Sequence, residues 1–183
     1  MIWKTMRGHA AYYLGLCELI EPRLAASDQY QYAVKALDGA WEWVEGQSIP
    51  GAVLADLCWD EDDSGIGPCM VADKNTDLLP VWRCVDMAVS LTSLAASVAE
   101  GNTAIREDIQ GVGSQASRDE FIDDFRGLIP VASFLSHYVT ALEGLPDEDL
   151  CRSAVRRCAF DALHAAAVHV RVTTDLPSDL VLR

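Results

Sequence analysis

A run of four acidic residues, Asp60-Glu61-Asp62-Asp63, follows Trp59 and precedes a Ser-Gly pair. Oxygen side chains at its first, third and fifth positions, with glycine at the sixth, match the start of a calcium-binding loop. The match then fails, because Pro68 takes the ninth position and Val71 stands where a bidentate glutamate is required. A solvated acidic loop is the simplest interpretation. A partner-binding loop with Trp59 as an aromatic anchor ranks ahead of a metal site.

A second acidic group, Asp119, Glu120, Asp123 and Asp124, follows a helix-start signal. Paired carboxylates of this kind can serve acid–base chemistry or bind two metal ions. Acidic side chains in the first turns of a helix also complement its dipole. No Glu-x-x-His motif stands on another helix, so the di-iron bundle signature is missing. We interpret the group as a solvated helix face and as the second candidate for a partner contact.

Metal and nucleophile motifs are otherwise missing. The histidines, His9, His137, His164 and His169, form neither H-x-x-x-H nor H-E-x-x-H. The six cysteines contain no C-x-x-C pair, and four lie in apolar helical patterns. They are typical of buried free thiols in a reducing compartment. We therefore expect no metal, no cofactor and no catalytic residue.

The tryptophans of one amphipathic segment are more informative. Trp41 lies on an apolar stripe with Tyr30, Val34, Leu37 and Val44. Trp43 is rotated about 200° from Trp41 around the helix axis. Either this helix is buried on two sides, or Trp43 lines a groove. Core packing is the simpler interpretation for both side chains.

The elements that position these residues are helices, because apolar residues recur at steps of three and four and no strand-like alternation occurs. We predict an all-α, single-domain bundle of about six helices over residues 1–183. The predicted helices span about 5–25, 27–45, 52–59, 77–100, 117–142 and 146–171, and the loops span 60–76 and 101–116. A capping box from Ser117 to Glu120 starts the fifth helix, and Pro130 is expected to kink it.

Composition limits the function classes. Among 183 residues, half are apolar, and 14 Lys+Arg stand against 28 Asp+Glu, a net charge of −14. Such a surface repels phosphate backbones and anionic lipid, which disfavours nucleic-acid and membrane binding and suits a basic protein partner. The longest uncharged run, 127–142, is shorter than the roughly 20 residues that span a bilayer. No signal-peptide pattern is found, so we expect a cytoplasmic protein.

Two segments carry a family resemblance. The segment from Ala36 to Glu45, which reads ALDGAWEWVE, is followed by a short helix and the acidic run, and VWRCVDMA begins at Val81. Over roughly residues 30–95 the chain resembles immunity-protein family six of bacterial polymorphic toxin systems. The resemblance implies a mostly helical fold and protection of the producing cell from a toxin, often a nuclease. It implies no catalytic residue, because immunity proteins act by binding.

We therefore expect an immunity protein that binds and neutralises a cognate, basic, nuclease-type toxin. The expected partner-binding residues are Trp59, Asp60, Glu61, Asp62, Asp63, Asp119, Glu120, Asp123 and Asp124. Two alternatives stay open at this point. One is a helical metal-dependent hydrolase that uses the acidic clusters, and the other is a small-ligand-binding helical domain with a pocket around Trp41, Trp43 and Trp82.

Overall fold

The computed structural model describes residues 5–59, 64–102, 114–130 and 133–170. These ranges contain eight α-helices and no strand, so the all-α prediction is confirmed with more helices than the expected six. The helices are α1 Met6–Ile20, α2 Tyr30–Val44, α3 Gly51–Cys58, α4 Ile66–Ala72, α5 Leu79–Ala99, α6 Gln115–Leu128, α7 Phe134–Glu143 and α8 Arg152–Val170. Short 3₁₀ helices occupy Glu21–Ala26, Thr76–Leu78 and Asp147–Asp149.

Helix α5 is the centre of the bundle, since α1, α2, α3, α4 and α6 all pack against it. Pro80 lies in its first turn, where its missing N–H leaves no hydrogen bond unmade. With the preceding 3₁₀ turn, Thr76–Ala99 has 24 residues and contains an 18-residue window with a mean hydropathy of 1.3, which is long and apolar enough to cross a bilayer. However, 61% of that apolar window is buried inside the protein, as expected for the core helix of a bundle.

Helices α7 and α8 pack against each other, and α8 also packs on α1. An aromatic ladder joins these helices to α6. Tyr13 of α1 meets Phe121 edge-on at 4.8 Å, Phe125 lies 5.7 Å from Phe134, and Phe134 stacks on Tyr138 at 5.7 Å. The Tyr138 hydroxyl donates to the Tyr12 carbonyl at 3.1 Å. The buried side chains of α1 to α8 thus form one continuous core.

The predicted loop 60–76 is wrong in its second half, where α4 stands. Gly65 precedes this helix with φ of 105°, a left-handed conformation that suits glycine. Pro68 falls in the first turn, where proline is tolerated. The Gly-x-Gly-Pro sequence is typical of a loop, so it hid a helix of only seven residues.

The predicted fifth helix is two helices. The chain leaves α6 at Ile129 and begins α7 at Phe134, so Pro130 lies in a break where a kink was expected. The break changes which residues face inward. Phe134, Tyr138 and Leu142 are buried in α7. Leu135 and Val139, which helical spacing in an unbroken helix would align with Phe121 and Phe125, are half-buried.

The predicted capping box is also wrong. Helix α6 begins one turn earlier, and Ser114 is its N-cap, with its Oγ accepting the Ser117 amide at 3.1 Å. Ser117 therefore lies inside the helix. The last helix starts at Arg152 and not near Pro146, because Asp147–Asp149 forms a separate 3₁₀ turn. Most of the predicted connection 101–116 lies outside the described residues.

Candidate interaction surfaces

Trp59 forms the C-cap of α3, and its side chain is 39% exposed. Its indole lies directly over Gly67 of α4, where an added Cβ would come within 1.8 Å of the Trp59 Cε2 atom. Because glycine has no side chain, the Trp59 ring can pack directly against α4 at this position. Residues 60–63 continue the chain from Trp59 but lie outside the described residues, so the role of Asp60-Glu61-Asp62-Asp63 stays a prediction.

The carboxylates of α6 separate into two kinds. Asp119, Glu120 and Asp123 are exposed. The Asp124 side chain is only 15% exposed and accepts a 2.6 Å hydrogen bond from Arg83 of α5. This ion pair connects α6 to α5, so Asp124 has a structural role between two helices.

Two weaker contacts involve the exposed members of this group. Gln115 Nε2 donates to Asp119 at 2.7 Å, and the Asp123 carboxylate lies 3.6 Å from the Arg126 guanidinium, which is itself exposed. Exposed ion pairs of this kind contribute little to stability. The α6 surface therefore keeps most of its negative charge facing solvent.

A buried ionic network joins α1, α2 and α8. Glu18 of α1 is 4% exposed and accepts hydrogen bonds from Trp41 Nε1 at 2.8 Å and from Arg152 Nε at 2.7 Å. Arg152 also donates to Asp38, and its backbone N–H donates to Glu45 Oε1 at 2.9 Å. Burial alone would lower the pKa of Arg152, but the bonds to Asp38 and Glu18 raise it overall. Arg152 is therefore a fixed cation that holds the first turn of α8 against α1 and α2.

The tryptophans of α2 and α5 are all buried. Trp41 is 2%, Trp43 6% and Trp82 1% exposed. The Arg7 guanidinium lies 5.7 Å from the Trp43 ring centre, and Trp82 Nε1 donates to Asp73 Oδ2 at 2.9 Å. Helix α2 is thus buried on two sides, the first of the two interpretations of its Trp-x-Trp sequence. These indoles pack in the core.

A groove of about 650 Å³ opens between α2 and α3. Its walls are mostly apolar, and charged side chains of α2 stand among them. It is lined by Tyr30, Gln31, Val34, Lys35, Asp38, Gly39, Glu42, Ile49, Val53 and Leu57. Sequence reasoning assigned Tyr30 and Val34 to the core face of α2, but both are half-buried and line this groove.

Metal and thiol chemistry find no geometric support in the described residues. No group of three or more His, Cys, Asp or Glu side chains within these ranges is placed to hold a metal ion. All six cysteines are free thiols, four of them buried. Burial raises the pKa of Cys17 and raises that of Cys84 to about 12, which disfavours the nucleophilic thiolate.

The comparison with protein families decides the classification. Residues 8–128 match the family described as Immunity protein Imm6. The chain belongs to the Imm6 family of immunity proteins. The resemblance found over residues 30–95 is thereby confirmed and extended, and the Imm6 match runs from α1 to the end of α6. Neither the search of curated proteins nor the search of solved structures found a match.

The Imm6 match places the candidate surfaces on one part of the chain. It includes Trp59, residues 60–63, the α6 carboxylates and the α2–α3 groove, whereas α7 and α8 lie beyond it. Arg152 nevertheless reaches from α8 into the matched part. The partner of an Imm6 protein is its cognate toxin, and these surfaces are the candidates for that contact.

Proposed function

We propose that this Imm6 protein acts in the cytoplasm, where it binds a basic, nuclease-type toxin one-to-one and blocks it without catalysing a reaction. The observation that carries the proposal is the family match over residues 8–128, which makes a toxin the partner. The free thiols fit a reducing compartment such as the cytoplasm. A toxin that attacks nucleic acid has to be stopped in that compartment.

The charge of the protein supports a basic partner. Its net charge is −14, and carboxylates outnumber cations among the exposed residues of the described ranges. The exposed carboxylates are Asp28, Glu42, Glu45, Asp56, Asp77, Glu100, Asp119, Glu120, Asp123, Glu143, Asp147, Glu148, Asp149 and Asp161, and the exposed cations are Arg7, Lys35, Lys74, Arg126, Arg156 and Arg157. Nucleases bind polyanions through basic surfaces, so an acidic inhibitor can occupy the same surface and associate rapidly.

Trp59 with Asp60-Glu61-Asp62-Asp63 is the first-choice contact. The four charges are contiguous, and the exposed indole beside them supplies apolar area of the kind that anchors interfaces. Asp119, Glu120 and Asp123 are the second choice. Asp124 ranks below them because Arg83 already neutralises it.

The experiment measures cell protection and affinity with the toxin encoded by the adjacent gene. Reversing Asp60, Asp62 and Asp63 to lysine should weaken binding at least about tenfold, with slower association and a weaker salt dependence. The control reverses Asp147, Glu148 and Asp149, which are exposed and lie beyond the Imm6 match. Both variants change the net charge equally, so a difference between them reports the site and not the overall field.

Two results would contradict the proposal at different levels. If both triple reversals weaken binding to the same extent, the acidic run is not the contact site. If the unmodified protein neither binds the adjacent toxin nor protects cells, the proposed function itself fails. For the unmodified pair, raising the salt concentration from about 0.01 M to 1 M shortens the screening length from about 30 Å to 3 Å and should slow association.

A further inference from the structure

The groove between α2 and α3 is an opening that the proposed contacts do not use. Its volume of about 650 Å³ lies within the range of roughly 300–1,000 Å³ that is typical of ligand-binding pockets. Ile49 and Val53 form one wall, and Val34 stands on the opposite wall. An apolar side chain that enters the groove would lose much of its contact with water.

The apolar lining is exposed to an unusual degree on the α3 side. Val53 is 48% exposed, although the neighbouring Leu54 and Ala55 on the other face of α3 are completely buried. Helix α3 therefore has a filled core face and an outer apolar face that borders the groove. Trp59, also exposed, follows the same helix, so the groove and the first-choice contact share one element.

Charge distinguishes the two ends of the groove. Asp38 and Glu42 lie one helical turn apart on α2, and Glu42 stands in the last turn, where the helix dipole adds partial negative charge. Glu42 is exposed, and the Asp38 side chain remains 49% exposed although it pairs with Arg152. Lys35 lies toward the other end. A cation next to the entering apolar side chain would be stabilised at the Asp38–Glu42 end.

We propose that the α2–α3 groove receives an apolar side chain of the cognate toxin, flanked by a lysine or arginine that meets Asp38 and Glu42. The inference rests on the proposed function and adds a second contact to it. The groove supplies the desolvated anchor that slows dissociation, while exposed carboxylates set the association rate. The occupant is thus a basic protein segment with an exposed aliphatic or aromatic residue.

The test compares two identical substitutions with the adjacent-gene toxin as the probe. Val53→Asp places a charge in the groove, and it lies in the first turn of α3, where a carboxylate suits the helix dipole. Val71→Asp is the matched control on α4, at a residue that is 76% exposed and does not line the groove. Val53→Asp should raise the toxin Kd about 30-fold, mostly through faster dissociation, and Val71→Asp should change it less than about threefold.

A second pair of variants tests the charged end. Glu42→Lys should raise Kd about tenfold, whereas Glu143→Lys, the same change at the end of α7, should leave it nearly unchanged. Circular dichroism and the unfolding midpoint of each variant establish that it is folded. These readouts separate loss of binding from loss of structure.

The outcomes also separate this inference from the proposed function. If the unmodified protein binds and protects but Val53→Asp and Glu42→Lys bind the toxin normally, the groove is not the docking site and the function stands. If the unmodified protein sediments as a dimer that Val53→Asp dissociates, a second copy is the occupant and the inference is wrong. If the unmodified protein binds no toxin, the function and the groove assignment fall together.

Discussion

Replacing Glu18 by glutamine tests whether the buried network holds α1, α2 and α8 together. The substitution keeps the side-chain shape but removes the charge. The Trp41 N–H then donates to a neutral acceptor, which costs about 1 kcal/mol relative to a charged one. Arg152 loses one of its two carboxylates, but its side chain is 34% exposed and it keeps Asp38, so this loss adds only about 1 kcal/mol.

The expected total for Glu18→Gln is about 2 kcal/mol, or about 4–8 °C in the unfolding midpoint of a protein of this size. Glu18→Ala should cost about 3–5 kcal/mol, because it also leaves the buried Trp41 donor without its acceptor. Urea unfolding followed by tryptophan fluorescence measures both. Glu143→Gln, at an exposed position, is the control and should change stability by less than about 0.5 kcal/mol.

A double-mutant cycle with Arg152→Gln isolates the ion pair itself. We expect a coupling free energy of about 1 kcal/mol between Glu18 and Arg152. A coupling near zero, or a Glu18→Gln variant as stable as the unmodified protein, would refute the reasoning. It would mean that desolvation of the carboxylate offsets everything that its partners contribute.

Three further predictions concern local contacts. Hydrogen bonds from the Ser27 side chain, the Asn75 amide and the Trp82 indole lower the pKa of Asp73. The stability that ionised Asp73 contributes is therefore complete above the ordinary pKa of 3.8 and is lost as the pH falls through the lowered pKa. Asp73→Asn should cost about 1–2 kcal/mol at neutral pH, and unfolding at a series of pH values should show the stability difference between variant and unmodified protein shrinking in acid. Gly67→Ala should displace the indole above it and change its fluorescence, and an unchanged spectrum would contradict the close approach. Ser114→Ala should cost about 1 kcal/mol, measured by thermal unfolding. Ser117→Ala should cost less, because Ser117 does not cap the helix.

Periodicity predicted the parts of the fold that depend on long apolar stripes. Helices α2 and α5 lie within two or three residues of their predicted bounds, because their inward faces repeat without interruption. It failed where local sequence and tertiary packing disagree. The glycine and proline of α4 favour a loop. The packing of the Trp59 indole over Gly67 cannot be predicted from any local sequence pattern.

The candidate site was predictable only as composition. The net charge and the exposed Trp59 could be anticipated, but pairing could not, because Arg83 and Asp124 are 41 residues apart in the sequence. The burial of Glu18 could not be anticipated either, because its partner Arg152 is 134 residues away in the sequence. The groove could not be predicted because Val34 follows the same stripe as the fully buried residues of α2. Only the position of α3 leaves Val34 partly exposed.

The Glu18–Arg152 bond has a consequence for the order in which the chain is made. Its two residues are separated by 134 positions. At a synthesis rate of about 5–20 residues per second, the ribosome adds Arg152 roughly 7–27 s after Glu18. During that interval the nascent α1 and α2 carry a carboxylate whose counterion does not yet exist, so their packing is completed only late in translation. The packing of these three helices is therefore complete only after the first turn of α8 has been synthesised.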